Sequence, residues 1–262
     1  MKKILARVLL ALLTVAMIAT AVACTKDPAE PAQTDPVTNP STEPNETEPE
    51  EGEKDIHAKS EGVMTYAEYE AAALDSAVVI EAFVQGKQSW WDNKGTFYTQ
   101  DKDGAYFLYE MACTEEQYNQ LTVGTKIKVT GYKAEWSGEV EIVDATFEIL
   151  EGSWVAEATD MTALLGTDDL IKHQNMVAVF KGMTVVSVSY KNEQRGDDIY
   201  VTLSKNGAEY SFCVEYYLTN TETAVYQAVE ALEVGDVIDV TGFLYWYNGP
   251  NTHITAIAPV GE

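Results

Sequence analysis

The sequence predicts a mainly β protein of two consecutive five-stranded Greek-key barrels, each with short helices, behind a long N-terminal segment that stays outside the fold. Three observations predict this architecture. Residues 62–249 contain no proline and are rich in Val, Ile, Thr and aromatic residues, a composition typical of strands. One twelve-residue segment occurs twice in this region, and the predicted elements follow the same order around both copies.

The repeat is clearest between Leu121–Tyr132 and Leu232–Phe243. Seven of the twelve positions are identical, and the two segments are 111 residues apart. A second similarity, Met-Thr at 64–65 and at 161–162, precedes a predicted helix in each copy with an offset of 97 residues. Two similarities in the same order, with offsets of 97 and 111 residues, indicate an internal duplication, here of roughly 95–100 residues.

The N-terminus has the layout of a secretory signal. Basic residues come first (Lys2, Lys3 and Arg7), and an apolar run over 8–23 follows that is shorter than the about 20 residues of a bilayer span. The run ends in Ala21-Val22-Ala23-Cys24, which resembles a bacterial lipobox. The resemblance implies that residues 1–23 are removed and that diacylated Cys24 anchors the protein outside the cytoplasm, on the bacterial cell membrane. The alternative is ordinary secretion, with Cys24 incidental.

Residues 24–61 are predicted to form a lipidated, disordered tether. Six of the eight prolines fall here, and residues 25–61 hold 11 acidic residues against three lysines. A segment with so few apolar residues cannot form a core, and its prolines and like charges keep it extended. It would lift the folded part away from the membrane. The alternative is a linker with no required length.

The first domain, residues 62–152, is predicted to hold five strands. Its elements are helix Tyr66–Leu74, strand Ala77–Gln85, a hairpin of Thr96–Gln100 and Ala105–Met111, helix Thr114–Leu121, and strands Lys126–Glu135 and Val140–Ile149. The hairpin turns at Asp103-Gly104, a pair that accepts the positive φ of tight turns. Thr114, with Gln117 three residues later, resembles a capping box at a helix start.

The second domain, residues 153–262, repeats that order. Its elements are helix Ala163–Lys172, strand Met176–Val188, a hairpin of Ile199–Leu203 and Glu209–Glu215, helix Thr221–Leu232, and strands Val237–Tyr247 and Thr252–Ala258. Asn206-Gly207 supplies the hairpin turn. Three strands, a helix and two strands make the order of an OB-fold, a partly open Greek-key barrel.

The repeated segment carries a family resemblance. Its shared pattern, Val-Gly-x-x-Ile-x-Val-Thr-Gly, resembles the entry to the fourth strand in bacterial OB-fold domains of the nucleic-acid-binding, anticodon-binding-like type. The resemblance implies that a glycine permits the sharp bend of the barrel. It also implies ligand contacts on the face of strands 2 and 3 and in the loops after strands 1 and 4.

Aromatic residues are the best candidates for a binding site. Those predicted on the hairpin face or in the two loops are Trp90, Trp91, Tyr98, Tyr106, Trp136, Tyr245, Trp246 and Tyr247. Adjacent residues of a strand point to opposite faces, so the three consecutive rings at 245–247 cannot all face a core. We expect some of the eight rings to fill the core and at least one to stack on a ligand.

Composition and charge disfavour several functions. The formal charge is 17 − 42 = −25, and residues 62–262 alone carry 11 − 31 = −20. Gripping a nucleic-acid backbone needs a basic surface, so nucleic acid is disfavoured as a partner. Three cysteines exclude a disulfide-dense scaffold, and the three histidines have no evident Ser or Cys partner.

We therefore predict no enzyme activity, no cofactor and no metal. Residues 99–110 match a calcium loop at some positions, but Thr99 stands where an aspartate is expected and the flanks resemble strands, which favours a hairpin turn. Cys113 and Cys213 are expected to be buried and unpaired, and a bridge between them is the alternative.

The leading function is a non-enzymatic cell-surface lipoprotein that binds an extracellular ligand, with a glycan or cell-wall saccharide favoured, through aromatic loops. The alternative is an envelope module for protein interaction or assembly that uses the same rings as anchors. A third hypothesis is single-stranded nucleic-acid binding, which the family resemblance suggests and the negative charge opposes. A fourth is an accessory domain of an enzyme whose catalytic part is another chain.

Overall fold

The computed structural model of the protein describes residues 55–260. The predicted signal peptide, the lipidation site Cys24 and the tether up to residue 54 lie outside the described residues. Among the residues that are described, no helix is both long enough and apolar enough to cross a bilayer.

The first half is a closed five-stranded barrel. Its elements are α1 (Tyr66–Ala71), β1 (Ala77–Lys87), β2 (Lys94–Gln100), β3 (Ala105–Ala112), α2 (Glu115–Gln120), β4 (Thr125–Trp136) and β5 (Glu139–Ser153). The strands pair in the order β1-β2-β3-β5-β4, and pairing of β4 with β1 closes the barrel. Within this barrel, β3 and β5 pair in parallel and the other neighbouring strands pair antiparallel. The Greek-key order predicted for the first domain is confirmed.

The second half is a six-stranded sheet. Its elements are β6 (Thr159–Asp160), β7 (Val177–Tyr190), β8 (Ile199–Lys205), β9 (Ala208–Val214), α3 (Ala224–Glu230), β10 (Val237–Phe243) and β11 (Asn251–Pro259). The order across the sheet is β10-β11-β9-β8-β7-β6, with an additional pairing of β10 with β7. β9 and β11 pair in parallel, as β3 and β5 do. The described chain is therefore mainly β, with one closed barrel and a second sheet.

The last glycine of the repeated segment is required by close packing in both halves. Gly131 in β4 and Gly242 in β10 each lie at a break in the register between neighbouring strands. A Cβ on Gly131 would lie 2.8 Å from the carbonyl oxygen of Val143, and one on Gly242 only 2.2 Å from that of His253. Neither glycine has a left-handed φ, so space rather than backbone conformation demands glycine here.

The first helix predicted for the second domain, Ala163–Lys172, does not form, so this prediction is wrong. Two short 3₁₀ helices, Thr162–Leu164 and Leu170–His173, stand there instead. Gly166 lies between them with φ +77°, and a left-handed residue ends a right-handed helix. The capping box predicted at Thr114 and Gln117 is confirmed at the start of α2.

Residues 55–61, the end of the predicted tether, lie against the first barrel. Lys59 forms an ion pair with Asp101 in the turn between β2 and β3. The ring of His57 meets the ring of Phe83 edge to face, with centroids 5.2 Å apart. This described end of the tether is therefore packed on the fold rather than extended from it.

A buried apolar cluster joins the two halves. Each half has its own core, and the third cluster between them contains Tyr98 and Phe107 from the first half and Phe243 from the second. The rings of Tyr98 and Phe243 stack with centroids 4.2 Å apart and an interplanar angle of 11°. Burying an aromatic side chain of this size contributes about 1.5–3 kcal/mol, so the halves share an apolar interface.

Candidate functional site: an aromatic cleft

A cleft crosses the boundary between the two halves. It consists of two pockets that adjoin at Gln88 and Tyr109, and we call the pair the aromatic cleft. The first pocket, about 630 Å³, is lined mainly by the connection between β1 and β2 and by residues after β9. The second pocket, about 540 Å³, is lined by β8, β9 and the turns that follow β4 and β10.

Most of the exposed aromatic side chains of the described chain lie in this cleft. Seven Trp and Tyr side chains are exposed, and six of them line one pocket or the other: Trp91, Tyr109, Trp136, Tyr200, Tyr217 and Tyr247. Trp91 is 68% exposed, and Trp136 and Tyr217 are each 61% exposed. Only Tyr132 lies elsewhere. Exposed rings are thus concentrated on one surface.

Trp91 is presented by a tight turn. Asp92 and Asn93 both adopt positive φ, at 49° and 58°, as the centre of a type I′ hairpin turn requires. The backbone N–H of Trp91 donates to the carbonyl of Lys94 at 3.1 Å, and the N–H of Lys94 donates back at 2.9 Å. The short polar side chains of Asp92 and Asn93 tolerate this backbone, which fixes the position of Trp91.

The other two rings on turns follow the same rule. Trp136 precedes Ser137 and Gly138, and Tyr247 precedes Asn248 and Gly249; all four turn residues have positive φ. The two turns also touch, because the N–H of Asn248 donates to the carbonyl of Ser137 at 2.7 Å. One turn from each half thereby joins at the second pocket, which Trp136 and Tyr247 both line.

Three of the eight predicted site residues are exposed in the cleft: Trp91, Trp136 and Tyr247. Trp90 and Tyr245 also line it but are half-buried. The indole N–H of Trp90 donates to the carbonyl of Cys113 at 3.0 Å, and Tyr245 stacks on His253 with ring centroids 4.2 Å apart. These two rings support the walls of the cleft.

The remaining three do not line the cleft. Tyr98 and Tyr106 are completely buried, the first in the cluster between the halves and the second in the core of the first barrel. Trp246 packs against the second core, and its backbone N–H donates to the carboxylate of Glu139 at 2.8 Å. Tyr106 faces the core of the first barrel, whereas Tyr98 points to the opposite face of the sheet and is buried because the second half covers it.

The predicted site residues did not include Tyr200 and Tyr217, and Tyr109 was predicted only to lie on the hairpin that forms the binding face. Tyr200 lies between the buried residues Ile199 and Val201 on β8, so strict alternation could have placed its ring outside the core. Tyr109 adjoins a bulged stretch of β3 with Glu110 at φ 47°, and Tyr217 follows the end of β9. Those two positions depend on irregular backbone, which alternation cannot predict.

The charged groups of the cleft are largely paired. Lys94 Nζ donates to Glu110 at 2.7 Å in the first pocket, and Lys191 Nζ donates to Asp198 at 2.9 Å in the second. Glu215, also in the second pocket, accepts from the backbone N–H of Leu218 at 2.8 Å. Burial, and secondly the charge of Asp198, raise the pKa of Glu215 to about 7.

A buried polar contact joins the halves next to the second pocket, which Gln88 and His253 line. The hydroxyl of Tyr98 lies 2.5 Å from His253 Nδ1 and accepts from the side-chain amide of Gln88 at 3.0 Å. Burial lowers the pKa of His253 to about 3, so the imidazole is neutral. The Tyr98 hydroxyl, which accepts from Gln88, has its own hydrogen free to donate to Nδ1 in the tautomer that carries its proton on Nε2. Ring and hydroxyl are thereby fixed in one arrangement.

The residues that were weighed as a calcium loop or as a disulfide lie in a hairpin turn and in buried positions. Within 55–260, no group of three His, Cys, Asp or Glu is arranged to hold a metal ion. Asp101 of the calcium-like segment accepts from the backbone N–H groups of Asp103 and Gly104, as expected for a hairpin turn. Cys113 and Cys213 are buried and unpaired, as predicted.

No protein-family model matches the chain, and no curated protein matches it. Similar solved structures include the Ifi202 HINa domain in complex with 20-bp double-stranded DNA, at 12% identity and TM-score 0.33, covering 70% of this chain and 98% of that one. A murine DNA-binding protein bound with double-stranded DNA is 10% identical, with TM-score 0.34 and coverage of 70% and 97%. A deletion mutant of the single-stranded DNA-binding protein from Thermus aquaticus is 13% identical, with TM-score 0.24 and coverage of 71% and 94%. The TM-scores of all three are below 0.5.

These findings correct two predictions. The favoured ligand was a glycan or cell-wall saccharide, and nucleic acid was disfavoured, whereas the similar structures are bound to DNA or named for binding it. Both predictions are therefore wrong. The exclusion of nucleic acid rested on the net charge of the whole folded part, but the field at a binding surface depends on local charges rather than on that sum.

Proposed function

We propose that the folded part of this chain is a non-enzymatic binding module that holds a protein partner in the aromatic cleft. The observation that carries the proposal is the gathering of six of the seven exposed aromatic side chains on one surface across both halves. Apolar side chains concentrated on a soluble surface typically mark an interaction site. Trp and Tyr are also the residues that most often dominate the energy of protein interfaces.

Two features suit a protein surface. Tight turns fix the backbone that carries Trp91, Trp136 and Tyr247, so a partner that covers these rings does not have to order the chain beneath them. The pockets measure about 630 and 540 Å³, within the range that accepts compact groups such as one or more side chains. Both favour a partner that inserts side chains between fixed rings.

A nucleic-acid strand is the second candidate. Each pocket places a lysine near exposed rings, Lys94 with Trp91 and Lys191 with Tyr200. Base stacking on aromatic rings combined with cations at the phosphates is how proteins hold single strands. Both lysines are already engaged by carboxylates, which a phosphate would have to displace.

We also infer that the module is a tandem pair of OB-fold barrels. The strands of the second sheet pair in the order found in the first barrel, and pairing of β10 with β7 takes the place of pairing of β4 with β1. The equivalent glycines, Gly131 and Gly242, meet the neighbouring strand at equivalent breaks of register. These parallels support descent of both halves from one duplicated unit.

A lipid anchor at Cys24 remains part of the proposal. The basic head, the apolar run and the sequence Ala-Val-Ala-Cys support removal of residues 1–23 and display of the module on a bacterial cell membrane. Cys24→Ala should release the protein from the membrane fraction into the medium. Continued retention of that variant in the membrane fraction would contradict the anchor.

Site-specific photo-cross-linking tests the binding proposal. A photoreactive phenylalanine analogue replaces Trp91 or Trp136 in the full chain, in cells that produce it, and Tyr132 as the matched exposed ring outside the cleft. We expect adducts of higher mass at the two cleft positions that survive nuclease treatment and are absent at Tyr132. Adducts that nuclease removes would favour the nucleic-acid candidate. Equal adducts at all three positions, or none in the cleft, would overturn both.

A further inference from the structure

The second pocket of the cleft holds more carboxylates than cations. Lys191 Nζ donates to Asp198 at 2.9 Å and also lies 3.7 Å from Asp197. Glu215 forms no ion pair within the described residues; its carboxylate accepts from the backbone N–H of Leu218 at 2.8 Å. Lys191 is therefore engaged by Asp197 and Asp198, and Glu215 is left without a cationic partner among the described residues.

The ionisation of Glu215 reflects that shortage. Its side chain lies in the wall of the pocket, where burial and the neighbouring Asp198 raise its pKa to about 7. A positive charge placed beside the carboxylate would offset both effects, since it replaces lost solvation and screens the repulsion from Asp198. The pocket is thus electrostatically prepared for a cation.

The other walls are aromatic. The rings of Trp136, Tyr200 and Tyr247 are exposed around the same pocket, and Tyr245 lines it from within. The face of an aromatic ring attracts a cation, and the attraction increases when the site excludes water. His253 lies beneath Tyr245 and is neutral because it is buried, so it contributes no positive charge that would repel a cation.

We propose that the second pocket binds a cationic side chain, the guanidinium or ammonium group of a partner polypeptide, between its aromatic walls and the carboxylate of Glu215. The inference rests on the proposed function for the identity of the partner as a protein, and it specifies the chemistry of the segment that enters the cleft. The strong negative charge of residues 62–262, 11 − 31 = −20, steers such a segment toward the module.

Titration with two matched peptides tests the inference. The first probe is the acetylated, amidated peptide Gly-Arg-Gly-Arg-Gly-Arg, and the second carries citrulline at each arginine, which keeps the shape and removes the charge. Binding is followed by tryptophan fluorescence of the full chain, since Trp136 lies in the pocket wall. We expect the arginine peptide to bind at least about tenfold more tightly than the citrulline peptide.

Two variants separate the pocket from the general negative surface. Glu215→Gln keeps an acceptor for Leu218, and it should weaken the arginine peptide roughly three- to tenfold while leaving the citrulline peptide unchanged. Glu233→Gln removes a carboxylate charge at an exposed position outside the cleft and should change binding less than about twofold. Tyr247→Ala, on an exposed turn, should also reduce the preference for arginine.

The outcomes distinguish this inference from the proposed function. Equal binding of both peptides, or an arginine preference that Glu215→Gln and Glu233→Gln reduce equally, would overturn the cation pocket. Cross-links at Trp91 and Trp136 would then still support a protein partner. Conversely, a preference lost only in Glu215→Gln and Tyr247→Ala would support the pocket even where no cross-link forms.

Discussion

The two halves of the described chain share a framework but place different chemistry on it. In the first half, the N–H of Gly124 donates to the carbonyl of Val84 at 2.8 Å; in the second, Gly235 donates to Val185 at 2.9 Å. The repeated segment thus makes the same contact with the first long strand in both halves. The framework follows the residues that the two copies have in common.

The loops on that framework differ. The connection between β1 and β2 brings Trp90 and Trp91 to the aromatic cleft, whereas the equivalent connection between β7 and β8 brings Lys191 and Asp198. The duplicated core therefore constrains the glycines and buried apolar positions, while each loop is free to supply rings or charges. The cleft depends on both halves, because neither contributes all of its walls.

The largest expected effect comes from replacing the two equivalent glycines of the shared framework. Gly242→Ala should destabilise the fold by about 3 kcal/mol or more, since its Cβ would lie 2.2 Å from a backbone oxygen. Gly131→Ala should destabilise it by about 2 kcal/mol, because the nearest atom, at 2.6 Å, is a side-chain methyl of Ile142. Urea unfolding of both variants measures the difference. An equal loss, or a greater loss for Gly131→Ala, would contradict the account of these positions.

The second effect compares two completely buried tyrosines. Tyr98→Phe should cost about 1–3 kcal/mol, since it leaves the buried Nδ1 of His253 without its donor. Tyr106→Phe is the matched control: its hydroxyl is buried and has no partner in the described structure, so its removal should be neutral or stabilising. Chemical unfolding of both variants provides the test. If both lose equal stability, the contact between the halves is not as described.

The third effect concerns pH. Glu215, with its pKa raised to about 7 in the fold, keeps its proton between the ordinary value of 4.5 and about 7, where the unfolded chain has lost it. The contribution of Glu215 to stability should therefore fall as pH rises through this window, by about 1–3 kcal/mol. Glu215→Gln should remove this part of the dependence, and Glu233→Gln should retain it. Parallel stability curves for wild type and Glu215→Gln between pH 5 and 8 would contradict the shift.

The smallest effect compares helix starts. Thr114 forms a reciprocal capping box with Gln117 at α2, whereas Thr223 caps α3 only through its own hydroxyl. Thr114→Ala should therefore cost about 1 kcal/mol and Thr223→Ala about 0.5 kcal/mol. Thermal unfolding of the two variants measures the order, and a larger loss for Thr223→Ala would reverse this comparison.

Most of the framework could be predicted from local sequence. Alternation of β-branched and aromatic residues located the long strands, and Asp-Gly and Asn-Gly located the hairpins, because each depends on a few neighbouring residues. The helix expected after Thr162 failed because Gly166 adopts a left-handed conformation that apolar periodicity does not reveal. Closure of the first barrel could not be predicted from local sequence, since pairing of β4 with β1 joins residues far apart in sequence.

The site was less predictable than the framework. Trp91, Trp136 and Tyr247 could be placed because each precedes turn residues, which keep the preceding ring outside the core. Tyr98 is also an aromatic residue on a predicted binding face, but the second half covers its side chain. Its burial depends on how the two halves dock, and no local pattern in the sequence reports that contact.

Hydroxyl-radical footprinting of the full chain tests the central claim, that the aromatic cleft is where a partner binds. In the purified protein, Trp91, Trp136 and Tyr132 should all be oxidised readily, as their exposure requires. In the membranes of producing cells, we predict that Trp91 and Trp136 become protected while Tyr132 does not. Unchanged oxidation of the cleft rings, or equal protection of Tyr132, would contradict the account.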